Sequence, residues 1–247
     1  ARKRCSESAC MRSSRKAAWM CGIRSLSEKI IYFTSTLSLY KIESVEVKIY
    51  EKKEPVLDYL IHMGNGYLLT AEALSHGISR PTIAEYVKKN HLEKLAKGIY
   101  FSPDAWPDDL YFLYLQNRRI IFSHETALYL HGLMEREPVR TYVTVRTGYN
   151  ATHLREKGIR VHQAKPESYE LGASSILTGY GNKVPVYDKE RTICDLIKGK
   201  EKTDIQIFQT AMKEYMDSKD KNIPNLMLYA SKLKMEDKVR FYTEVML

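Results

Sequence analysis

From about residue 51 the apolar positions of the chain begin to recur at helical spacing. Val56, Leu57, Leu60 and Ile61 follow Pro55, which a first helical turn tolerates, and the run ends at the loop Gly64-Asn65-Gly66. Thr70 is placed to cap a second helix through Leu74, and Gly77 supplies the left-handed position that stops it. Ser79 is placed to cap a third, with Pro81 early enough to be harmless and Ile83 and Val87 facing inward. Leu92, Leu95, Ile99 and Phe101 then flank Ala96-Lys97-Gly98, the pattern of a small hairpin turning at Gly98. Three helices followed by a hairpin predict a winged helix-turn-helix.

Beyond the loop Pro103 to Pro107, the pattern changes to a mixture of periods. Helices are expected over Asp109 to Gln116, over HETALYLHG after a capping Ser123, and over KERTICDLIK after a capping Asp188. Phe122 and Ala127 are spaced as a hydrophobic staple across the Ser123 cap. Arg119 to Phe122, Thr141 to Arg146, Gly158 to His162 and Val184 to Tyr187 read as strands, and two helices, near 202–217 and 224–237, close the chain. The predicted fold class is α+β: an N-terminal winged helix-turn-helix domain, then a mixed α/β domain with C-terminal helices. The boundaries are 1–48 for a basic, disordered extension, 49–104 for the DNA-binding domain and 105–247 for the second domain.

Composition adds little, since 44% hydrophobic and 28% charged residues are ordinary for a globular chain of 247 residues. Charge placement adds more. Residues 1–48 hold ten Lys and Arg against four Asp and Glu, so +6 of the net +9 lies in the head. The head also carries Cys5, Cys10 and Cys21, without a CxxC pair, leaving Cys194 in the body. Irregular cysteine spacing in a chain this long argues against a disulfide framework and against zinc, and fits a reducing cytoplasm. The uncharged stretches are too short to span a bilayer, which needs roughly 20 apolar residues.

The candidate chemistry lies in ALSHGISRPTIAEYVKKN, residues 73–90. Ala73, Gly77 and Ile83 stand as A-x3-G-x5-I, the small contact residue, turn glycine and branched anchor of two tightly crossing helices. A plain pair of core helices would show the same three residues. Between Ser79 and Gly98, however, Arg80, Lys88, Lys89, Lys94 and Lys97 outweigh Glu85 and Glu93, a local +3. The DNA-contact set is Ser79, Arg80, Thr82, Tyr86, Lys88, Lys89, Lys94 and Lys97, with Arg80, Thr82, Tyr86 and Lys89 on the outer part of the third helix. Arg80 suits paired bonds to guanine, Thr82 a thymine methyl or a phosphate, and the lysines phosphates. Glu85 fits only by accepting from a cytosine or pairing with Lys89 at i,i+4.

Enzymatic readings are weaker. His124 and His131 are not at the i,i+4 spacing of helical metal ligands, and Asp188 with Glu190 would face differently if Asp188 caps its helix. The chain contains no GxxxxGK loop and no G-x-S-x-G elbow, and Cys194 lies in an apolar helix as packing. No catalytic residue, cofactor or metal is expected.

In order along the chain, KGIYFSP at 97–103, SHETALYLHGL at 123–133, TYVTVR at 141–146 and VYDKERTICDLIKG at 186–199 resemble the AbiEi-type antitoxin family of bacterial abortive-infection toxin-antitoxin systems. The resemblance spans roughly residues 50–240. It implies a cytoplasmic antitoxin and transcriptional autorepressor that binds double-stranded promoter repeats of its own operon, with a nucleotidyltransferase-like toxin as functional partner; the second domain is expected to serve either homodimerisation or antagonism of that toxin. It places Arg80, Thr82, Lys89, Lys94 and Lys97 in the DNA-reading helix and wing. In the second domain it marks Ser123, His124, Ala127, Leu128, Gly132, Leu133, Asp188, Arg191, Thr192 and Asp195, which the residues alone explain as caps, an Arg191–Asp195 i,i+4 pair and core. The alternatives are a nuclease targeted by a winged helix, and a winged-helix repressor with a sensor domain and no toxin.

Overall fold

Residues 54–246 are those that the computed structural model describes; the basic extension expected over 1–48, with Cys5, Cys10 and Cys21, lies outside them. Helix α1 (Glu54–Met63) carries Pro55 in its first turn and buries Leu57 and Leu60. After the glycine turn comes a strand the hydrophobic pattern did not signal, β1 (Tyr67–Leu69), because three residues are too few to show an alternation. Helices α2 (Thr70–Ser75) and α3 (Arg80–Lys89) follow, then β2 (Glu93–Ala96) and β3 (Ile99–Phe101). The three strands form an antiparallel sheet in the order β1-β3-β2, with Tyr67 opposite Phe101 and Leu69 opposite Ile99. Leu57, Leu60, Leu68, Ala73, Ile78 and Ile83 share one core.

Two local expectations are corrected. Thr70 does not cap α2; it is the first helical residue, the cap position falls on Leu69 at the end of β1, and no side chain bonds there. The Thr70 amide is used elsewhere, donating to the Gly98 carbonyl at 2.9 Å and so tying α2 to the β2–β3 turn. Gly77 does end α2, at φ +76: its amide bonds Leu74 O (3.0 Å) and that of Ile78 bonds Ala73 O (3.1 Å), which satisfies two orphan carbonyls in a Schellman arrangement. A Cβ on Gly77 would meet nothing within 4 Å, so the backbone angle, and not room, demands glycine there.

The rest is mixed. Helix α4 (Asp109–Gln116), β4 (Ile121–Phe122), α5 (His124–Leu130), β5 (Tyr142–Arg146), α6 (Thr152–Glu156), β6 (Arg160–Ala164), α7 (Pro166–Tyr169), β7 (Ala173–Leu177) and β8 (Lys183–Tyr187) lead to α8 (Lys189–Lys198). Their five-stranded sheet has the order β6-β5-β4-β8-β7, parallel at β5–β6 and β4–β8 and antiparallel elsewhere. Edge strand β7, ASSIL, exposes four of its five residues and so lacks the alternation that would have announced it. The run expected to be one helix over 224–237 is interrupted: after α9 (Ile205–Asp217) come α10 (Ile223–Lys232) and α11 (Glu236–Met246), with Lys234 at φ +57 between them. A lysine in that conformation carries no glycine or asparagine signal.

Helix α8 is buried on every side from Glu190 to Ile197. Ile193, Cys194 and Ile197 pack among α9, α10 and α11, while its buried polar members Glu190, Arg191, Thr192 and Asp195 are hydrogen-bonded within the fold. Asp188 caps the helix by accepting from the Arg191 amide (2.8 Å) and also accepts from the Tyr229 hydroxyl (2.9 Å). Glu190 accepts from the Tyr215 hydroxyl (3.1 Å) and the Asn222 amide (2.9 Å), and Asp195 from Arg191 Nε (3.1 Å). The carboxylates weighed for metal chemistry, Asp188 and Glu190, thus hold helices together.

Asp108 joins the two sheets. Its backbone exchanges bonds with the Tyr67 hydroxyl on β1, its Oδ1 caps α4 by accepting from the Tyr111 amide (3.0 Å), and its Oδ2 accepts from Asn182 Nδ2 (2.8 Å) and from the Thr178 hydroxyl. Asn182 in turn accepts from Asn65 Nδ2 (3.0 Å) beside α1. Replacing the carboxylate leaves buried donors on Asn182 and Thr178 unmet, each costing about 1–3 kcal/mol. Asp108→Ala is therefore expected to lower unfolding free energy by about 3 kcal/mol in urea titration.

Candidate nucleic-acid interface

The first turn of α3 is built around Ser79. Its Oγ accepts from the Thr82 amide at 3.4 Å and lies 2.8 Å from Thr82 Oγ1, so the Thr82 hydroxyl is engaged with the cap and the side chain is half-buried. Pro81 fits at this end because the missing amide has no helical partner to lose. Arg80, the first helical residue, is exposed and makes no ion pair among the described residues. The exposed amides and the positive helix end reinforce a cation there in attracting phosphate.

At the other end of the helix the expectations divide. Lys88 is exposed. Tyr86 is not on the outer surface: it is 6% exposed and packs with Ile83 and Leu92, and its hydroxyl donates to the Asp58 carboxylate on α1. Ile83, Tyr86 and Val87 fall at i, i+3 and i+4, one apolar stripe, so the ring of Tyr86, and not its hydroxyl, decides which way the side chain faces. Burial and the neighbouring Asp58 push that phenol's pKa up, which keeps it neutral. Lys89 pairs with Glu54 at 2.8 Å and not with Glu85, although both partners stay exposed. A pair of that kind is worth about 0–1 kcal/mol, so Lys89 can exchange Glu54 for a phosphate at small cost. Glu85 remains exposed on the same helix.

Lys94 and Lys97 are exposed on the β2–β3 hairpin, Lys94 opposite Tyr100 and Lys97 in the turn beside Gly98 at φ +76. The register of the hairpin shifts between Lys94 and Ala96, a bulge that strengthens the local twist.

Residues 55–103, the span that holds α1 through β3, match the family model described as transcriptional regulator, AbiEi antitoxin. Over this segment the chain is similar to the AbiEi antitoxin family. The match ends at 103, before the blocks at 123–133 and 186–199. No curated protein matches the chain. Among solved structures, the RV2827C protein from Mycobacterium tuberculosis is 12% identical over 75% of this chain and 76% of its own, with a TM-score of 0.46, too low to decide anything about fold or function.

Beyond the AbiEi segment, most of the second-domain blocks serve packing. Ala127, Leu128 and Leu133 are core, Gly132 has φ +69, and the Thr192 hydroxyl donates to Asp188 O (2.7 Å). Ser123 occupies the cap position of α5 but makes no side-chain cap bond; its Oγ accepts from the Thr144 hydroxyl (2.9 Å) and meets His124 Nδ1 (3.1 Å). His124 is the unexpected member. It holds φ +51, and its ring stacks on His162 of β6 at 3.7 Å and 15°. His162 escaped the sequence reading because a polar residue on an edge strand reads as ordinary surface.

Burial, reinforced by Arg191 and Lys198, pushes His124 down to about 4. A histidine whose folded pKa lies below its unfolded value of 6.5 favours the fold while neutral, so its contribution is complete above 6.5 and is lost as pH falls toward 4. His131, also pushed down by burial, acts in the same direction. Thermal melts of the parent chain and of His124→Gln are expected to draw closer together as pH falls from 6.5 to 4; a constant gap would contradict the assignment. Taking the difference removes the carboxylates, such as Asp195, whose pKa burial raises and whose effect runs the opposite way.

Proposed function

We propose that the chain is an antitoxin and DNA-binding autorepressor, in which residues 49–104 form a winged helix-turn-helix and residues 105–247 a separate regulatory module. The observation that carries this reading is the AbiEi match over 55–103 falling on a helix, strand, two crossing helices and a hairpin, with the local positive charge on the last helix and the hairpin. The strand order β1-β3-β2 supports a wing formed by β2 and β3. On this reading Arg80 contacts bases from the N-terminus of α3 in the major groove, Ser79 and Thr82 position that turn, and Lys88, Lys89, Lys94 and Lys97 take phosphates. Tyr86 drops out of the contact set because it is buried. The target is double-stranded DNA upstream of the chain's own gene, bound by a homodimer across repeats in the cytoplasm. On this reading the second module antagonises a nucleotidyltransferase-like toxin; the word antitoxin in the description of the family matched at 55–103 supports an antitoxin role for the chain, and the regulator role supports DNA binding. Among the described residues no helix is long and apolar enough to cross a membrane.

Band-shift titration with the upstream DNA at several salt concentrations tests the contacts. Lys94→Ala and Lys97→Ala are each expected to reduce the magnitude of the slope of log K against log salt by about 1, and Arg80→Ala to cost about 1–3 kcal/mol at its base. Tyr86→Phe, which loses only the bond to Asp58, is expected to leave the slope unchanged. Unaltered affinity and slope in the first three variants would remove this helix and hairpin from the DNA.

A further inference from the structure

Edge strand β7 lacks the charges, prolines and bulges by which sheets ordinarily keep an open edge from pairing with another chain. The five-stranded sheet ends at β7, so one side of the strand meets no other described strand. Its sequence, ASSIL, is uncharged, and its pairing with β8 runs from Ala173 opposite Tyr187 to Leu177 opposite Lys183 without a register shift. The opposite edge, β6, does carry a charge, with Arg160 exposed at its first position.

Two backbone bonds fix which groups the edge presents. The Asp188 amide donates to the Gly172 carbonyl and the Thr178 amide to the Asn182 carbonyl, both at 2.8 Å. Residues 172 and 178 therefore turn their backbone groups toward β8, and in an antiparallel ladder Ser174 and Ile176 do the same. Ala173, Ser175 and Leu177 turn theirs outward. Pro185 agrees with this parity, because it stands opposite Ser175, where the ladder needs no amide from β8. The Ala173 amide donates to the Glu170 carbonyl (3.2 Å), whereas the Ser175 and Leu177 amides have no partner among the described residues. The side chains of these three outward residues share one face, opposite to that of Ile176, which packs against the core. All three are exposed, Leu177 by 62%.

We propose that β7 pairs with β7 of a second copy of the chain, antiparallel about a two-fold axis at Ser175. The strand is complementary to itself. Ser175 meets the second copy's Ser175, and Leu177 meets the second copy's Ala173, large against small. Each Ser175 amide donates to the second copy's Ser175 carbonyl, and each Leu177 amide to the second copy's Ala173 carbonyl, the outward groups left open by β8. The ends match in charge: Lys183 flanks Leu177, and Glu170, at the surface 3.4 Å from Arg146, leads into Ala173, so opposite charges share each end of the pair. Because the same surface serves both copies, the contact closes at two. Thr178 and Asn182, just beyond β7, bond to Asp108, and Asn182 to Asn65, which ties the interface to the first sheet and its α3. This dimer is the one that the proposed function places on DNA, and its use there rests on that reading; its formation needs no DNA.

Analytical ultracentrifugation of the full chain without DNA tests the pairing. A reversible dimer is expected, with the Ser175 and Leu177 amides exchanging hydrogen more slowly as concentration rises. Ser175→Lys and Ser175→Asp each set like charges face to face across the axis, and each is expected to raise the dimer dissociation constant about fivefold with unchanged circular dichroism. An equal mixture of the two variants is expected to restore dimerisation, since position 175 faces itself. A chain that stays monomeric up to its solubility limit overturns the proposal, and is the result if the edge serves a strand of another protein. A dimer that both variants leave intact, or variants that stay apart on mixing, overturns it too. A dimer that gives no band shift sinks the DNA reading and leaves this interface standing; a monomer that shifts the DNA does the reverse.

Discussion

The close crossing of α2 and α3 is the constraint on which the first half of the structure depends. Ala73 is fully buried in the core that holds Ile83, and a larger residue there would force the two helices apart. Gly77 ends α2 in a conformation that returns two carbonyls to hydrogen bonds, and Ile78 follows it into the core. Once Ile83 and Tyr86 are seated on the inner face, Arg80 and Lys88 have only the outer surface to occupy. The apolar packing therefore decides which cations are displayed, and it removes Tyr86 from display. The bond from the Tyr86 hydroxyl to Asp58 extends the same logic, since it fixes α1 against α3 through a group that would otherwise be buried without a partner.

A second constraint is polar. Asp108 lies where the chain passes from one sheet to the other, and its carboxylate collects donors from the amide of α4, from Asn182 and from Thr178, while its backbone engages Tyr67. A carboxylate supplied with this many donors holds two elements in register as well as an apolar contact would. It is also less tolerant of change. Helix α8 shows the same principle deeper in the fold, where Asp188, Glu190, Arg191 and Asp195 are all buried to some degree and all bonded. Charges at such positions suggest chemistry when read from sequence, yet each one here has a structural partner.

Legibility in the sequence followed length and period. Helices α1, α3 and α8 were readable because each spans at least two turns with apolar residues at helical spacing and carries a recognisable start, and α4 because its run is apolar and aromatic enough to need packing. Strand β1 was too short, β7 too exposed, and the break between α10 and α11 rests on Lys234, whose backbone angle no residue signal betrays. Side-chain partners were less readable still. Lys89 found Glu54, 35 positions away, ahead of Glu85 on its own helix, and the Ser123 hydroxyl found Thr144 ahead of its own helix amides. Local spacing predicts local pairs. The tertiary competitors that displaced them were brought close only by the fold, and the His124–His162 stack belongs to that class.

The central claim is that the surface formed by α3 and the β2–β3 hairpin meets DNA. Amide chemical-shift mapping of the chain, titrated with the double-stranded DNA upstream of its own gene, tests that claim most directly. The account predicts that the largest shifts fall between Ser79 and Gly98, strongest at Ser79, Arg80, Thr82, Lys94 and Lys97. Shifts confined to residues 105–247, or none at a concentration where the DNA is saturated, would contradict it.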